Sequence, residues 1–199
     1  MKFSLNDLKL RDLSPDEMRE IYNSHMVTVF PANELKPCDD IYSDMLKDKF
    51  LACGLVAGQD LVAYMFTACI PGRPQLFGQY VVVKEEYRSQ GVGGVLLDEI
   101  CRRYGAYRCV MADVEDPDFP IDEEDRVQRE RRMRFYMRNG FRRTRVKAHV
   151  YGVDYEVIVR DIAAHADDGE VFEAANAIYE SMAVPGAFPY MFQVRLDAS

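Results

Sequence analysis

Three glycines at the start of a helical segment are the residues whose type and spacing point most directly to chemistry. Gly91, Gly93 and Gly94 follow the apolar strand Tyr80–Val83 and its charged turn, and they precede an amphipathic segment, Val95–Tyr104. Glycines at a helix start leave backbone N–H groups free to point at an anion, and the helix dipole adds about half a positive charge there. The pattern predicts a diphosphate site.

Three kinds of phosphate site compete for these glycines. A P-loop needs Lys-Ser or Lys-Thr after its last glycine, and neither follows here. A dinucleotide fold needs GxGxxG at its first strand–helix turn, whereas this spacing is Gly91-Val92-Gly93-Gly94, mid-chain and without repeated βαβ units. A coenzyme A site is the third interpretation. Tight helix–strand packing without a ligand is the structural alternative.

Two motifs, in order, resemble those of the GNAT acyltransferases. Arg88-Ser89-Gln90-Gly91-Val92-Gly93 matches that family's [RQ]-x-x-G-x-[GA] motif, between a hydrophobic strand and a helix. Phe135-Tyr136-Met137-Arg138-Asn139-Gly140-Phe141 is similar to its F-Y-x-x-x-G-F signature, at a helix end and the start of a strand. The resemblance covers about residues 1–160.

The resemblance implies acetyl-CoA as co-substrate. Amides of the turn at 88–94 would hold its pyrophosphate, while Arg88 orders the turn or touches a phosphate. The pantetheine arm would pair with the strand edge, and an amide within Val81–Val83 would polarise the thioester carbonyl. Asn139 would lie near the coenzyme, although a helix C-terminal role explains it equally well. The implied coenzyme-binding residues are Val81, Val82, Val83, Arg88, Ser89, Gln90, Gly91, Val92, Gly93, Gly94 and Asn139.

Tyr136 is the candidate general acid. The resemblance places it near the thioester sulfur, and a phenol can protonate a departing thiolate or hydrogen-bond to it. Packing on the core beside Phe135 and Phe141 is the structural alternative.

The general base is less clearly marked. Some members of the family carry Glu or His on the strand before the motif, but Phe77 and Gln79 stand there and neither takes a proton at neutral pH. Glu115, just after the predicted strand 107–114, is the first candidate, and Glu34 in the Phe30–Glu34 loop is the second. Either would act through a water, and each is alternatively a surface acid. In the family, the region of this loop covers the acceptor pocket.

We therefore expect an acetyl-CoA-dependent N-acetyltransferase that acetylates a primary amine of a small molecule or peptide by direct attack in a ternary complex. The alternative is a catalytically silent acyl-CoA-binding or regulatory module, which Phe77 and Gln79 favour. The motif identifies the coenzyme and leaves the acyl chain open. No Cys-His-acid arrangement suggests an acyl-cysteine, and no metal is expected.

Charge is unevenly distributed in a chain of net charge −8. Acids that could attract a cationic amine crowd one stretch: Asp113, Glu115, Asp116, Asp118, Asp122, Glu123, Glu124 and Asp125. Nine arginines follow between Arg126 and Arg145, which could meet a phosphate of the coenzyme or an acidic partner. A solvated loop and an ion-paired helix face are the alternatives. The negative balance argues against nucleic-acid binding.

Composition favours a cytoplasmic location. Five cysteines without a CxxC pair suit a reducing compartment better than a disulfide framework. The charged N-terminus lacks the apolar core of a signal peptide, and no apolar run reaches the length of a membrane helix.

Hydrophobic periodicity predicts an α/β (α+β) fold, a mixed sheet of six or seven strands with helices on both faces. The resemblance implies that this fold is GNAT-like. A strand–glycine turn–helix–strand unit should join parallel neighbours. We assign residues 1–160 to the acetyltransferase domain and residues 161–199 to a C-terminal helix and apolar tail. The tail should pack on its own domain or on a partner subunit, as in a homodimer.

Overall fold

The computed structural model describes residues 4–32, 34–69, 72–182 and 192–198. The chain divides into two compact units. The first combines the residues up to 71 with residues 79–100, and the second combines residues 72–78 with the residues from Cys101 onward. Strand β4 (Gln75–Val83) and helix α4 (Val92–Arg103) each contribute residues to both units.

The first unit has the strand order β1-β2-β3-β4, and its first three strands are antiparallel neighbours. Its elements, in chain order, are β1 (Leu8–Asp12), α1 (Pro15–Ile21), a π-helical segment (Tyr22–Met26), α2 (Val27–Val29), α3 (Cys38–Met45), β2 (Phe50–Ala57), β3 (Asp60–Cys69), the end of β4 (Gln75–Val83) and most of α4 (Val92–Arg103). Ser14 and Glu17 form the capping box expected at the start of α1.

The second unit has the strand order β4-β5-β7-β6-β8. Its elements are β5 (Cys109–Glu115), α5 (Glu123–Arg138), β6 (Arg142–Val150), β7 (Val153–Asp161), α6 (Asp168–Met182) and β8 (Phe192–Leu196). The first residues of β4 pair in parallel with β5 over three positions and stop at Phe77–Met111. β5 then continues beside β7, with which it pairs up to Glu115–Tyr155.

The α/β class, the mixed sheet and the parallel neighbours on either side of the glycine turn are confirmed. The number of strands was underestimated, since the described residues form eight. The eighth, β8, pairs antiparallel with β6 and lies in the segment expected to be a tail. Its five residues alternate apolar and polar, with Phe192, Val194 and Leu196 apolar, but so short a segment carries a weak strand signal, and the neighbouring edge of β6 supplies its hydrogen bonds. Residues 183–191 of that tail lie outside the described residues.

None of the helices within the described ranges has the length and apolar character needed to cross a membrane.

Candidate active site

The turn after β4 is built by short local hydrogen bonds. The amide of Lys84 still donates to the carbonyl of Val62 in β3, at 3.0 Å. The chain then leaves the sheet through a 3₁₀ turn, Glu85–Tyr87, and two of the next residues take left-handed backbone, Ser89 at φ 59° and Gly91 at φ 85°. Left-handed backbone is rare for residues with a side chain. The conformation of the turn is therefore unfavourable at Ser89 and readily adopted at Gly91.

The first turn of α4 leaves backbone N–H groups without a hydrogen bond. Within the described ranges, no acceptor lies against the N–H groups of Gly91, Val92 and Gly93, because the first bonds of the helix come from Gly94 and Val95 to the carbonyl of Gly91. Unpaired amides in the first turn of a helix attract anions. Gly91 is solvent-exposed, whereas Val92 and Gly93 are buried.

Both space and backbone conformation restrict position 91 to glycine. A Cβ at this position would lie 3.1 Å from Cδ1 of Leu5, on a backbone that side chains rarely adopt. Glycine is therefore required here for conformation as well as for approach. The neighbouring predicted residues Val81, Val82 and Val83 belong to the same unit; Val82 is buried, whereas Val81 and Val83 are partly exposed.

Arg88 and Gln90 hold the turn to its surroundings. Nε of Arg88 donates to the carbonyl of Val83 at 3.1 Å, and the amide of Gln90 donates through Nε2 to the carbonyl of Glu86 at 2.8 Å. Both side chains thus brace the backbone of the turn. Whether Arg88 also touches a phosphate stays a prediction.

The Phe30–Glu34 loop is anchored on β4 through Tyr80, a role that no sequence pattern indicated. The Tyr80 hydroxyl donates to the carbonyl of Glu34 at 3.0 Å and accepts from the amide of Lys36 at 2.8 Å. The ring of Phe30 meets that of Tyr80 edge-on at 5.1 Å. Glu34 itself is exposed, and Asn33 lies outside the described residues.

Gln79, the residue before this anchor, is half-buried on β4. Its Nε2 lies 3.3 Å from the Tyr80 hydroxyl, and its buried Oε1 has no partner within the described ranges. Phe77, two residues earlier, is buried against the ring of Tyr179 at 5.7 Å. The strand therefore offers an amide and an aromatic ring at the two positions where the resemblance led us to look for a base.

Tyr136 lies in the second unit, near the C-terminal end of α5. It is buried between the rings of Phe135 and Phe141, at 5.2 and 5.1 Å. Burial raises the pKa of Tyr136 to about 12; the charge of Asp113 acts in the same direction and that of Arg132 opposes it. The phenol thus keeps its proton at neutral pH, as a general acid must.

Asn139 ends α5. Its side-chain amide donates to the carbonyl of Phe135 at 2.7 Å, and Gly140 follows with a left-handed φ of 82°. This geometry is typical of a helix C-terminus, so the structure accounts for Asn139 without a ligand. A contact with the coenzyme stays a prediction.

The acids and arginines of the second unit pair with each other. Glu115, the first candidate base, forms an ion pair with Arg132 of α5. Asp116 is buried and bonded to Lys147 at 2.9 Å, and Asp125 pairs with Arg129 at 2.8 Å. Such pairing is the role expected of an ion-paired helix face.

The sequence does not predict two further side-chain pairs, because the two members of each pair are far apart in the chain. Nδ1 of His25, on the π-helical segment, lies 2.9 Å from the hydroxyl of Tyr64. Burial lowers the pKa of His25, and the charge of Lys84 adds to the effect. The hydroxyl of Tyr179 in α6 donates to Asp113 in β5 at 2.7 Å.

Comparison with known proteins identifies the kind of domain. Residues 50–143 match the family model described as an acetyltransferase (GNAT) domain. A search of the curated proteins finds no match.

Solved structures agree with this match in fold. The ribosomal-protein-S18-alanine N-acetyltransferase from Escherichia coli is 14% identical, with a TM-score of 0.59 over 81% of this chain and 97% of that chain. A spermidine N-acetyltransferase chimera of Vibrio cholerae SpeG and hSSAT is 12% identical, with a TM-score of 0.60 over 79% and 96%. Arabidopsis thaliana NAA60 in complex with acetyl-CoA is 16% identical, with a TM-score of 0.57 over 78% and 98%. At these identities the likeness concerns the fold.

Proposed function

Because the chain carries a GNAT acetyltransferase domain, we propose that it is an acetyl-CoA-dependent N-acetyltransferase acting on a primary amine of a small molecule or peptide. The observation that carries the proposal is the turn at Ser89–Gly93, where left-handed backbone and unpaired amides occur together at the start of α4. The acetyl-CoA bound to the Arabidopsis thaliana structure supports the same co-substrate here.

The turn would bind the pyrophosphate of acetyl-CoA through backbone groups. The amides of Gly91, Val92 and Gly93 would donate to phosphate oxygens, and the helix dipole of α4 would favour their charge. Since Arg88 and Gln90 brace the backbone in place, little ordering is needed on binding. Backbone amides in Val81–Val83 would hold the pantetheine arm and polarise the thioester carbonyl.

The reaction would proceed by direct attack. The acceptor ammonium first loses one proton, and its nitrogen then forms a bond to the thioester carbonyl carbon. Collapse of the tetrahedral intermediate breaks the carbon–sulfur bond, and the nitrogen loses its second proton. Tyr136 would give its proton to the leaving thiolate and regain one from the second proton that the nitrogen releases, so that the net products are an acetamide, free coenzyme A and one proton.

The first proton needs an acceptor. Glu115 would have to leave its ion pair with Arg132 before it could accept the proton through a water bound to the amine. Glu34 is exposed and needs only such a bridging water. Both remain candidates for the base. Phe77 and Gln79 cannot accept the proton, which is the observation behind the alternative of a silent acyl-CoA-binding module.

Two measurements on the full chain test the proposal. Calorimetry should detect binding of coenzyme A and acetyl-CoA at neutral pH, and thiol release from acetyl-CoA should depend on an amine from a panel of polyamines, aminoglycosides, amino acids and peptides. Binding without turnover across the panel would indicate the silent module. Absence of heat from both coenzyme forms would contradict the acetyltransferase and the module alike.

A further inference from the structure

The imidazole of His25 is held in place by a buried tyrosine of β3. Its Nδ1 lies 2.9 Å from the hydroxyl of Tyr64, and the two rings meet edge-on at 5.7 Å. Tyr64 is fully buried, and its ring packs on that of Phe66 at 5.2 Å. His25 itself is partly exposed, on a π-helical segment of the kind frequent at functional sites. A fixed hydroxyl thus positions an imidazole that solvent can reach.

This pair lies beside the origin of the turn that follows β4. Val62, two residues before Tyr64 in β3, accepts the amide of Lys84 at 3.0 Å. Two residues span roughly 7 Å of a strand, and their side chains point to the same face. Lys84 is the first residue after β4 and precedes the 3₁₀ turn. Since all of these residues belong to the first unit, His25 is held at the end of the strands from which the proposed pyrophosphate turn leaves.

Three charged side chains of that turn act on His25. Lys84 and Arg88 disfavour its imidazolium form, whereas Glu86 favours it. Burial, which is the largest cause, acts in the same direction as the two cations, so the pKa of His25 lies below its ordinary value. The imidazole is therefore neutral at neutral pH in the free protein.

A bound pyrophosphate would change this balance. It would bring negative charge to the turn that carries Lys84 and Arg88, and an opposite charge nearby favours the imidazolium form. The contact with Tyr64 is compatible with both forms of His25. A tyrosine hydroxyl can donate to an unprotonated Nδ1 and can accept from the Nδ1–H of an imidazolium.

We propose that His25 takes up a proton from solvent when coenzyme A binds, and that its imidazolium then strengthens the positive field around the pyrophosphate. The inference rests on the proposed function and gives the π-helical segment a role in coenzyme binding. By thermodynamic linkage, coenzyme A and the proton bind cooperatively. A fall in pH should therefore tighten coenzyme binding, and the coenzyme should raise the pKa of His25.

Proton NMR of the full chain measures the titration of His25 directly. The Cε1 proton resonances of the three histidines are followed from about pH 5 to about pH 8.5, with and without saturating coenzyme A. The resonance missing from His25→Gln identifies His25. Saturation should raise the pKa of His25 more than that of His149 or His165. These two histidines, which contact Asp154 and Asp161, are reference titrations in the same sample.

Calorimetry measures the same linkage as an affinity. Between about pH 8 and about pH 6, the affinity of the wild type for coenzyme A should rise about threefold more than that of His25→Gln. The titration of the coenzyme's own phosphates is common to both proteins, so the difference belongs to His25. Buffers of different ionisation enthalpy should show more proton uptake by the wild type than by the variant.

A matched pair of lysine variants tests the field of the turn. Lys84→Gln should raise the pKa of His25 in the free protein, because a nearby cation is removed. Lys47→Gln removes an exposed ammonium of the same unit, which donates to Ser43 at 2.9 Å, and should leave that pKa unchanged. The resonance that responds to Lys84→Gln also identifies His25 if His25→Gln fails to fold, which thermal unfolding detects.

The outcomes separate the two proposals. Absence of coenzyme A binding to the wild type would overturn this inference together with the proposed function. Coenzyme binding that leaves the pKa of His25 unchanged, or that raises the pKa of all three histidines alike, would overturn only the role of His25. The same conclusion would follow if affinity for coenzyme A had the same pH dependence in the wild type and in a folded His25→Gln.

Discussion

Nε of Arg88 donates to the carbonyl of Val83 at 3.1 Å, so the residue after the 3₁₀ turn is tied back to the last residue of β4. This bond fixes the point from which the chain enters the left-handed backbone at Ser89 and Gly91. The amides at the start of α4 are therefore held in place before any ligand arrives. A preformed site loses less entropy on binding than a flexible one.

Gly91→Ala should weaken coenzyme A binding at least about tenfold, because the left-handed backbone disfavours a side chain and the new methyl group would lie close to Leu5. Either the turn shifts or the methyl group blocks the approach of the pyrophosphate. Isothermal calorimetry with coenzyme A measures the effect.

Gly58→Ala is the matched control. Gly58 also has a left-handed φ, 64°, but a Cβ there would meet nothing within 4 Å. Both variants should lose about 1 kcal/mol of stability from backbone strain, while only Gly91→Ala loses affinity. Equal affinities in the two variants would count against the turn as the pyrophosphate site.

Tyr136→Phe should lower kcat about 10²-fold at neutral pH, with little change in KM for acetyl-CoA, because the leaving thiolate loses its proton donor. The pKa of Tyr136 is raised to about 12, so the wild-type phenol keeps its proton at alkaline pH where an ordinary tyrosine, with a pKa of about 10, is half ionised. Deprotonation of Tyr136 should therefore not limit the wild-type rate below about pH 11.

Steady-state kinetics from neutral to alkaline pH measure both effects, and Tyr151→Phe, at an exposed position, serves as the control. A Tyr136→Phe variant with wild-type kcat at every pH would remove the general-acid assignment and leave Tyr136 as a core residue beside Phe141.

Local signals predicted most of this fold. The capping box at Ser14 and Glu17, Gly91 before α4 and Gly140 after α5 all act within a few residues, and each marks a boundary that the structure has. Helix α4 begins at Val92, three residues before the expected start at Val95, so Gly93 and Gly94 lie inside it. Strand β8 was not predicted from the sequence, because its hydrogen-bonding partners are in β6, more than forty residues earlier in the chain.

The side-chain partners of the candidate site were less predictable for the same reason. Tyr80 binds the backbone of Glu34 and Lys36 across sequence separations of 46 and 44 residues, and Tyr179 reaches Asp113 across 66. Nothing in the local pattern of a tyrosine indicates such a partner. The acids after β5 could be counted from the sequence, but only the structure pairs Glu115 with Arg132.

Tyr80→Phe should raise KM for the acceptor several-fold and leave KM for acetyl-CoA unchanged. The substitution keeps the ring contact with Phe30 but removes the hydroxyl that binds the backbone on both sides of Leu35. Two partly buried hydrogen bonds of about 1 kcal/mol each hold the loop, so it should become more mobile in the variant. Initial rates with each substrate varied in turn measure the change.

The control for Tyr80→Phe is Tyr22→Phe, at a partly buried tyrosine of the same unit whose hydroxyl forms no hydrogen bond within the described ranges. It should leave both KM values unchanged. If Tyr80→Phe also leaves the acceptor KM unchanged, the Phe30–Glu34 loop does not help to bind the acceptor.

Glu17→Gln should destabilise the protein modestly and only above acidic pH. The hydrogen bond from Arg11, followed by that from the Ser14 amide, lowers the pKa of Glu17 from 4.5 to about 2. A carboxyl with a lowered pKa in the folded state adds stability that is fully present above its unfolded value and is lost as the pH falls through its folded value. Its contribution should therefore disappear between about pH 4.5 and pH 2.

Solvent screening keeps the contribution of this ion pair to the free energy of unfolding small, because the side chains of Glu17 and Arg11 are 39% and 47% exposed. Glutamine also retains the bond to the Ser14 amide, so only the charge is lost, about 0.5 kcal/mol at neutral pH. Urea unfolding of the wild type and Glu17→Gln from pH 7 downward measures the difference. Glu20→Gln, at an exposed acid of the same helix, should show no such pH dependence. A difference that stays constant as the pH falls would place the effect in packing and not in the ion pair with Arg11.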